Sequence, residues 1–420
     1  MDTFQYALLF AIPSFLLLMA IEFSWGLIKG HNTWNNQADA ISSISSGLTY
    51  VCLQGLNIGV LVISYQWLAT LVEPTPMVYQ GIGLWLLVFV WTDFSGYWIH
   101  RWAHANSFLW AMHMIHHSSE EFNLPVALRQ NAFKWFSYTG VMLLPLLLLG
   151  VPVEIVATVA PVHLFLQFWY HTRHIGKLGW LEYVLVTPSQ HRVHHAINPR
   201  YIDKNFGQIF CWDRLFGTFQ EELDSDPPAY GITTPVRSYN PMMIELRYMG
   251  RLCRDALYTR GWTNKLRVFL SRTGWRPDDS AQRWPTEKYD YRDDSQKYAP
   301  YNPPWRIAWG WVQLLLVVAL TAYLIIFMER TPEPAQLGIF ALILLTIAAN
   351  TEQLMNHSTL WIDALRAGIV ATLFAMYPQV FGFVSPSTIG LLLTLAIVAI
   401  SLVGTLAPAA KGSSANTAHG

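Results

Sequence analysis

The chain has 420 residues, of which 53% are hydrophobic, 14% aromatic and only 13% charged, against roughly 25% charged in soluble domains. With a mean hydropathy of +0.27 much of it belongs in lipid, and a formal net charge of +0 argues against a nucleic-acid footprint. Cys52, Cys211 and Cys253 are odd in number and form no CxxC, which indicates neither a disulfide framework nor a zinc ribbon.

A bilayer-spanning helix needs about 20 apolar residues. In chain order the first candidates are Phe4–Phe23, Ser46–Val72 and Gln80–Ile99. The first run lacks a basic flank and a small-residue cleavage site, so it reads as a retained helix. Next comes Phe136–Tyr170, broken by Gly150, Val151 and Pro152. Glycine and proline interrupt a helix there, which predicts a short-armed hairpin returning to the membrane face it left. A polar block over 171–305 follows, then the apolar runs Ile307–Met328, Ala335–Ala349, Leu360–Tyr377 and Thr388–Leu406, and a disordered tail over 407–420. The expected division is amino-terminal transmembrane helices over 1–79, a catalytic region over 80–220, a polar segment over 221–305 and carboxy-terminal transmembrane helices over 306–406.

Basic residues in short loops set orientation. The loop over 73–79 has none, whereas Arg101, Arg129 and Lys134 lie beyond the third span. The His100 end and the polar block are therefore expected in the cytoplasm. The fold class expected is an all-α integral membrane protein, a multi-helix transmembrane bundle carrying a cytoplasmic histidine-rich di-metal catalytic cap.

Five of the chain's 14 histidines fall between His100 and His117. Residues three or four apart share a helical face, so His100 and His104 project together, as do His113, His116 and His117. His191, His194 and His195 repeat the second pattern. A lone histidine pair is ordinarily a hydrogen-bonded structural pair. Eight imidazoles in matched spacing are different, because neutral imidazole is the commonest metal ligand and unpaired burial of so many polar rings is unfavourable. Eight also exceeds the four ligands of a structural zinc, pointing to two metal ions. Imidazole suits zinc, copper, iron and nickel alike.

Asp93 lies within the third span on the face of His100 and His104, and an intramembrane carboxylate is a functional candidate by default. Its expected task is to accept the second N–H of a ligating histidine; the structural alternative is a pair with a nearby Arg or Tyr. His171 is placed as a ninth candidate ligand, with His174 the weaker candidate and His163 a hydrogen-bonded core histidine. His31, His357 and His419 stand apart. Glu120 and Glu121 are candidates for a catalytic role or, equally, for the acidic first turn of a helix capped by Ser118 or Ser119. The segment Tyr201–Gly207 is expected to fold over the site, with a structural Asp203–Lys204 salt bridge.

The pattern HxxxH, HxxHH, HxxHH resembles the fatty acid hydroxylase and sterol desaturase superfamily, and "DFSGYWIHRWAH", "HHSSEEFNLPVALRQN" and "TPSQHRVHHAINPRYIDKNFGQIFCWDRLFGTF" look like its alkylglycerol monooxygenase-like members. The similarity is strong over about 90 to 220. It implies a membrane oxidoreductase in which His100, His104, His113, His116, His117, His191, His194 and His195 hold two iron ions that activate O2. It also implies a membrane-lipid substrate (ether lipid, sterol or fatty acyl chain). One departure is Ala105, where the ether-cleaving members are expected to carry an acidic residue straight after the second histidine. The reductant is left open between tetrahydrobiopterin and an electron-donor protein, as is the oligomeric state. The alternatives are a lipid desaturase on the same scaffold and, from a different class, a metal-binding membrane transporter.

Overall fold

The computed structural model describes residues 3–55, 59–75, 77–78, 81–287 and 289–381. In chain order it forms α1 (Thr3–Lys29), α2 (Gln37–Gly55), β1 (Gly59–Val62), α3 (Tyr65–Val72), α4 (Ile82–Ala105), α5 (Ser107–Ala111), α6 (Met114–His117) and β2 (Lys134–Ser137). There follow α7 (Thr139–Met142), α8 (Leu144–Leu148), α9 (Val153–Leu166), α10 (Pro188–His194), α11 (Trp212–Phe216), α12 (Pro241–Tyr258), α13 (Trp262–Leu270) and α14 (Asp278–Arg283). The last three are α15 (Pro304–Phe327), α16 (Glu333–Leu354) and α17 (Leu360–Met376). The expected all-α architecture is interrupted by one parallel two-stranded ribbon, in which Gly59 pairs with Lys134 and Val62 with Ser137.

Among the described residues four helices are long and apolar enough to cross a membrane, over Ile12–Lys29, Ile82–Ala105, Pro304–Arg330 and Glu333–Leu354. The chain is an integral membrane protein. The expected span Ser46–Val72 does not form: α2 starts nine residues earlier and ends at Gly55, before the ribbon and the short α3. The reason lies in α2's own chemistry. Ser42, Ser43, Ser45, Ser46 and Thr49 are all buried, and α2 packs against α12, α15 and α16, so its small polar residues face protein. Leu360–Tyr377 becomes α17, a 17-residue helix with a buried Asp363–Arg366 ion pair at 2.7 Å. The expected span Thr388–Leu406 and the tail over 407–420 lie outside the described residues.

The break at Gly150 is observed. This glycine has φ +76°, and a Cβ on it would collide with the Thr75 carbonyl; its own carbonyl accepts from the Met77 amide at 2.8 Å. α7 and α8 descend to it, and α9 returns from Pro152 along α4. That return brings the segment after α9 level with the end of α4, where the histidines gather. The largest apolar core among the described residues joins α2, α15 and α16 through Ile41, Ile44, Val317, Ile343 and Ile347, so helices on either side of the histidine segments in the chain pack together.

Candidate metal centre

Nine histidines converge into two groups. His100, His104, His113, His117 and His194 form one; His116, His171, His191 and His195 form the other, and within each group one ring nitrogen per residue lies within 4.8 Å of every other. Each HxxHH motif is split between the groups: the first sends His113 and His117 one way and His116 the other, while the second sends His194 one way and His191 and His195 the other. His117 and His195 stack across the divide at 4.3 Å between ring centres.

Local structure explains the aim of the rings. His100 and His104 sit one turn apart at the end of α4. Pro188 at the first position of α10 fixes a helical start that lifts His191, His194 and His195 into the centre. His171 follows the exit of α9. The Nδ1 atoms of four histidines each meet a backbone carbonyl: His100 with Phe206 at 2.9 Å, His116 with Arg129 at 3.2 Å, His171 with Gln167 at 3.1 Å and His194 with Lys204 at 2.9 Å. A carbonyl only accepts, so Nδ1 carries the proton in each, and Nε2 presents a lone pair to the interior.

Those lone pairs test whether metal ions fit. Buried His100 Nε2 and His194 Nε2 have no hydrogen-bond partner among the described residues. His116 Nε2 and His171 Nε2, both acceptors by this reasoning, face each other at 3.4 Å. Nε2 atoms also meet at 3.2 Å for His104 and His117, 3.1 Å for His117 and His113, 2.8 Å for His191 and His171 and 3.0 Å for His195 and His191. Lone pairs left without a donor at His100 and His194, and the facing acceptors of His116 and His171, are unfavourable alone and favourable around a cation, so the residues fit one metal ion per group. Electrostatics agree. Burial, followed by the neighbouring imidazoles, holds His113, His117, His191 and His195 well below the usual imidazole range, and burial brings His116 to about 3. Neutral imidazole is the ligating form.

Behind the rings lies a framework of buried ion pairs and carboxylates. The Arg129 guanidinium pairs with Asp39 at 2.5 Å and donates to Ser43 Oγ and Ser118 Oγ, both at 2.9 Å, while its carbonyl holds His116. Asp213 accepts from the amides of Phe206 and Gly207 at 2.7 Å, setting the carbonyl that holds His100. Arg192 pairs with Glu222 at 2.7 Å and donates to the Thr172 carbonyl beside His171 at 2.9 Å. Sequence reasoning passed over Asp39, Asp213 and Glu222. Their partners lie up to 90 residues away, although an Asp among the small residues of α2 was a usable signal.

Asp93 departs from its expected role. Fully buried, it accepts from His163 Nε2 at 2.7 Å, Ile209 N at 2.9 Å, Phe210 N at 3.1 Å and Trp212 Nε1 at 2.7 Å, and from none of the nine clustered histidines. It faces the loop between Phe206 and α11, whose amides outcompete a ring it cannot reach. His163 is the hydrogen-bonded core residue expected.

Glu120 and Glu121 lie outside both groups and outside any helix. Glu120 accepts from the Tyr298 amide at 2.6 Å. Glu121 faces Arg173 at 3.4 Å, and burial, reinforced by Asp39, raises its carboxyl to about 7. No helix begins at Ser118 or Ser119 to be capped: Ser119 Oγ accepts from the Glu121 amide at 3.1 Å and donates to Asp39 at 2.5 Å, and Ser118 Oγ donates to the Ile115 carbonyl at 2.7 Å. The segment Tyr201–Gly207 does cover the site through its Lys204 and Phe206 carbonyls. In place of the expected pair with Lys204, Asp203 turns towards His104 Nδ1 at 3.8 Å. His174 approaches Thr33 at 3.5 Å, and Ala105 is exposed.

A cavity of about 390 Å³ opens beside the histidines. Its far walls are apolar, from α1 (Phe15, Leu16), α2 (Leu48, Val51) and the end of α9 (Leu164). At its inner end stand His100 and His113 of one group and His116, His171 and His191 of the other.

Comparison with known proteins matches residues 85–218 to the fatty acid hydroxylase family. The chain is 33% identical to an alkylglycerol monooxygenase of Xenopus tropicalis over 328 residues, 77% of this chain and 71% of that protein. It is 37% identical to the enzyme of that name from Danio rerio over 268 residues, 64% of this chain and 59% of that protein. For the Homo sapiens enzyme the identity is 35% over 270 residues, again 64% of this chain and 59% of that protein. No solved structure matches. The chain belongs to the fatty acid hydroxylase family. Its similarity to the alkylglycerol monooxygenases makes it an oxidoreductase of the monooxygenase class.

Proposed function

We propose that the chain is a membrane-bound non-haem di-iron monooxygenase that hydroxylates a C–H bond of a lipid with O2, from a site on the cytoplasmic side of the bilayer. The observation that carries this reading is that both histidine groups open on one apolar cavity. His100, His104, His113, His117 and His194 would hold one iron, and His116, His171, His191 and His195 the other. Bound iron supplies the activation of dioxygen needed to oxidise an unactivated C–H bond.

The protein's own part is positioning. Carbonyls of Phe206, Arg129, Gln167 and Lys204 lock four rings with Nε2 inward. Leu16, Leu48, Phe15 and Leu164 exclude water and hold a hydrocarbon chain in line, leaving one carbon beside the histidines. The candidate substrates are an ether lipid, a sterol or a fatty acyl chain, and the names of the vertebrate relatives favour the ether lipid. Ala105 is exposed and lines neither the cavity nor a histidine group. The reductant is tetrahydrobiopterin or an electron-donor protein.

Labelled dioxygen separates this function from a desaturase. Purified protein supplied with membrane lipid and reductant should place one labelled oxygen atom in the lipid product. A new double bond without label would replace the hydroxylase reading with the desaturase one.

A further inference from the structure

Helix α13 (Trp262–Leu270) carries two apolar faces. Val268 is buried and packs into the core made with α12. Trp262, Leu266 and Leu270 lie at i, i+4 and i+8, one helical face, and are 81%, 62% and 73% exposed. Three large apolar side chains in line on an exposed helix face are an unsatisfied surface. The flanks are rich in basic residues: from 256 to 277 the chain holds Arg260, Lys265, Arg267, Arg272 and Arg276, with Asp279 accepting from the Arg260 amide at 2.9 Å at the amino-terminal side. Arg276 is paired with Asp255, and Lys265 donates to the carbonyls that end α12. Arg260, Arg267 and Arg272 stay exposed.

The depth of this helix follows from what it is tied to. Membrane span α4 ends at Ala105. Immediately after it, Asn106 Nδ2 donates to the Leu270 carbonyl at 3.1 Å, the Ser107 amide to the Ser271 carbonyl at 3.0 Å and Ser107 Oγ to the Arg272 carbonyl at 3.1 Å. The carboxy-terminal end of α13 is thus bonded to the residues where a span leaves the hydrocarbon. Exposed Trp102 lies at the same end of α4, the level at which tryptophan collects in membranes.

We propose that α13 is an in-plane membrane anchor, with Trp262, Leu266 and Leu270 in the headgroup region of the bilayer and Arg260, Arg267 and Arg272 on anionic lipid phosphates. An apolar stripe with basic flanks is the composition such helices require. The anchor reaches the metal centre through one further contact. Thr273 Oγ1, three residues past α13, donates to the His104 carbonyl at 2.5 Å.

The test uses the full chain in vesicles. Leu266→Cys in a Cys253→Ser background is labelled with a fluorophore and reconstituted into mixed phosphatidylcholine and phosphatidylglycerol vesicles. Spin-labelled lipid should quench the label several-fold more strongly than aqueous iodide, and omission of phosphatidylglycerol should weaken that quenching. Lys177→Cys, on an exposed loop, supplies the solvent reference. Iodide quenching equal to the reference overturns the proposal. Protection from both quenchers overturns it in favour of a protein partner, including a second copy of this chain. Lipid quenching indifferent to phosphatidylglycerol overturns its anionic component. None of these outcomes depends on the catalytic reading.

Discussion

His171 and His191 face each other through their Nε2 atoms at 2.8 Å, joining a histidine outside the three motifs to one inside the last. The contact completes the smaller group, which without His171 has only three histidines. His171→Ala should lower the metal content of purified protein by about one ion per chain, while His31→Ala, remote from both groups, should leave it unchanged. Unaltered metal in the His171 variant would remove it from the ligand set. His116→Ala should abolish turnover without altering membrane insertion, as judged by activity and by extraction from membranes.

Asp39 and Arg129 link α2 to the His116 ring. Loss of one partner of a buried ion pair destabilises by about 3–5 kcal/mol, and loss of a group that orients a ligand lowers metal affinity by about 10- to 100-fold. Asp39→Ala should show both, in thermal midpoint and in competition with a chelator. A variant with lowered midpoint and unchanged metal affinity would confine the pair to stability.

Asp93 organises the loop from Ile209 to Trp212, which continues from the Phe206 carbonyl that holds His100. Asp93→Asn leaves an amide nitrogen where backbone donors now converge, and should lower the thermal midpoint. Its effect on metal affinity should be smaller than that of Asp39→Ala, because Asp39 bonds the residue whose carbonyl holds His116, whereas Asp93 bonds the loop from Ile209, three residues past the Phe206 carbonyl that holds His100.

The cavity walls predict chain selection. Leu48→Trp narrows the apolar path between α1 and α2 without touching a histidine. Complemented cells should then accumulate oxidised lipids with shorter chains, read by lipid mass spectrometry, with metal content unchanged. An unaltered chain-length distribution would place the lipid elsewhere.

Glu245 gives a pH signature. Burial raises its carboxyl to about 7, against the downward pull of the Ala132 and Phe133 amides, from an ordinary value of 4.5. The folded chain therefore keeps a proton between those values that the unfolded chain has released. Its contribution favours folding at the acid end and is lost as pH rises through about 7, with an upper limit of about 3 kcal/mol. Between pH 5 and pH 8 the thermal midpoint of Glu245→Gln should fall less than that of the parent chain.

The histidine clusters were legible because ligand chemistry imposes i, i+3, i+4 spacing that a sequence displays directly. Their division was not, since which of His113, His116 and His117 joins which partner depends on the approach of α10 and of His171. Helix α2 was misread as part of a span because hydropathy cannot tell a serine packed against protein from one facing lipid. Asp93 was visible as an intramembrane acid, but its partners, His163 and the Ile209–Trp212 loop, come from segments 70 to 119 residues away. The break at Gly150 is legible because glycine and proline two residues apart interrupt a helix whatever surrounds them; the approach to Thr75 that also requires glycine there is not.

The most direct test of the two-metal centre is the iron content of protein purified after iron-replete expression, alongside variants in each group. Two irons per chain are expected, falling to about one in both His171→Ala and His113→Ala. A single metal ion in the parent chain, or zinc at full occupancy with no iron, would contradict the di-iron assignment.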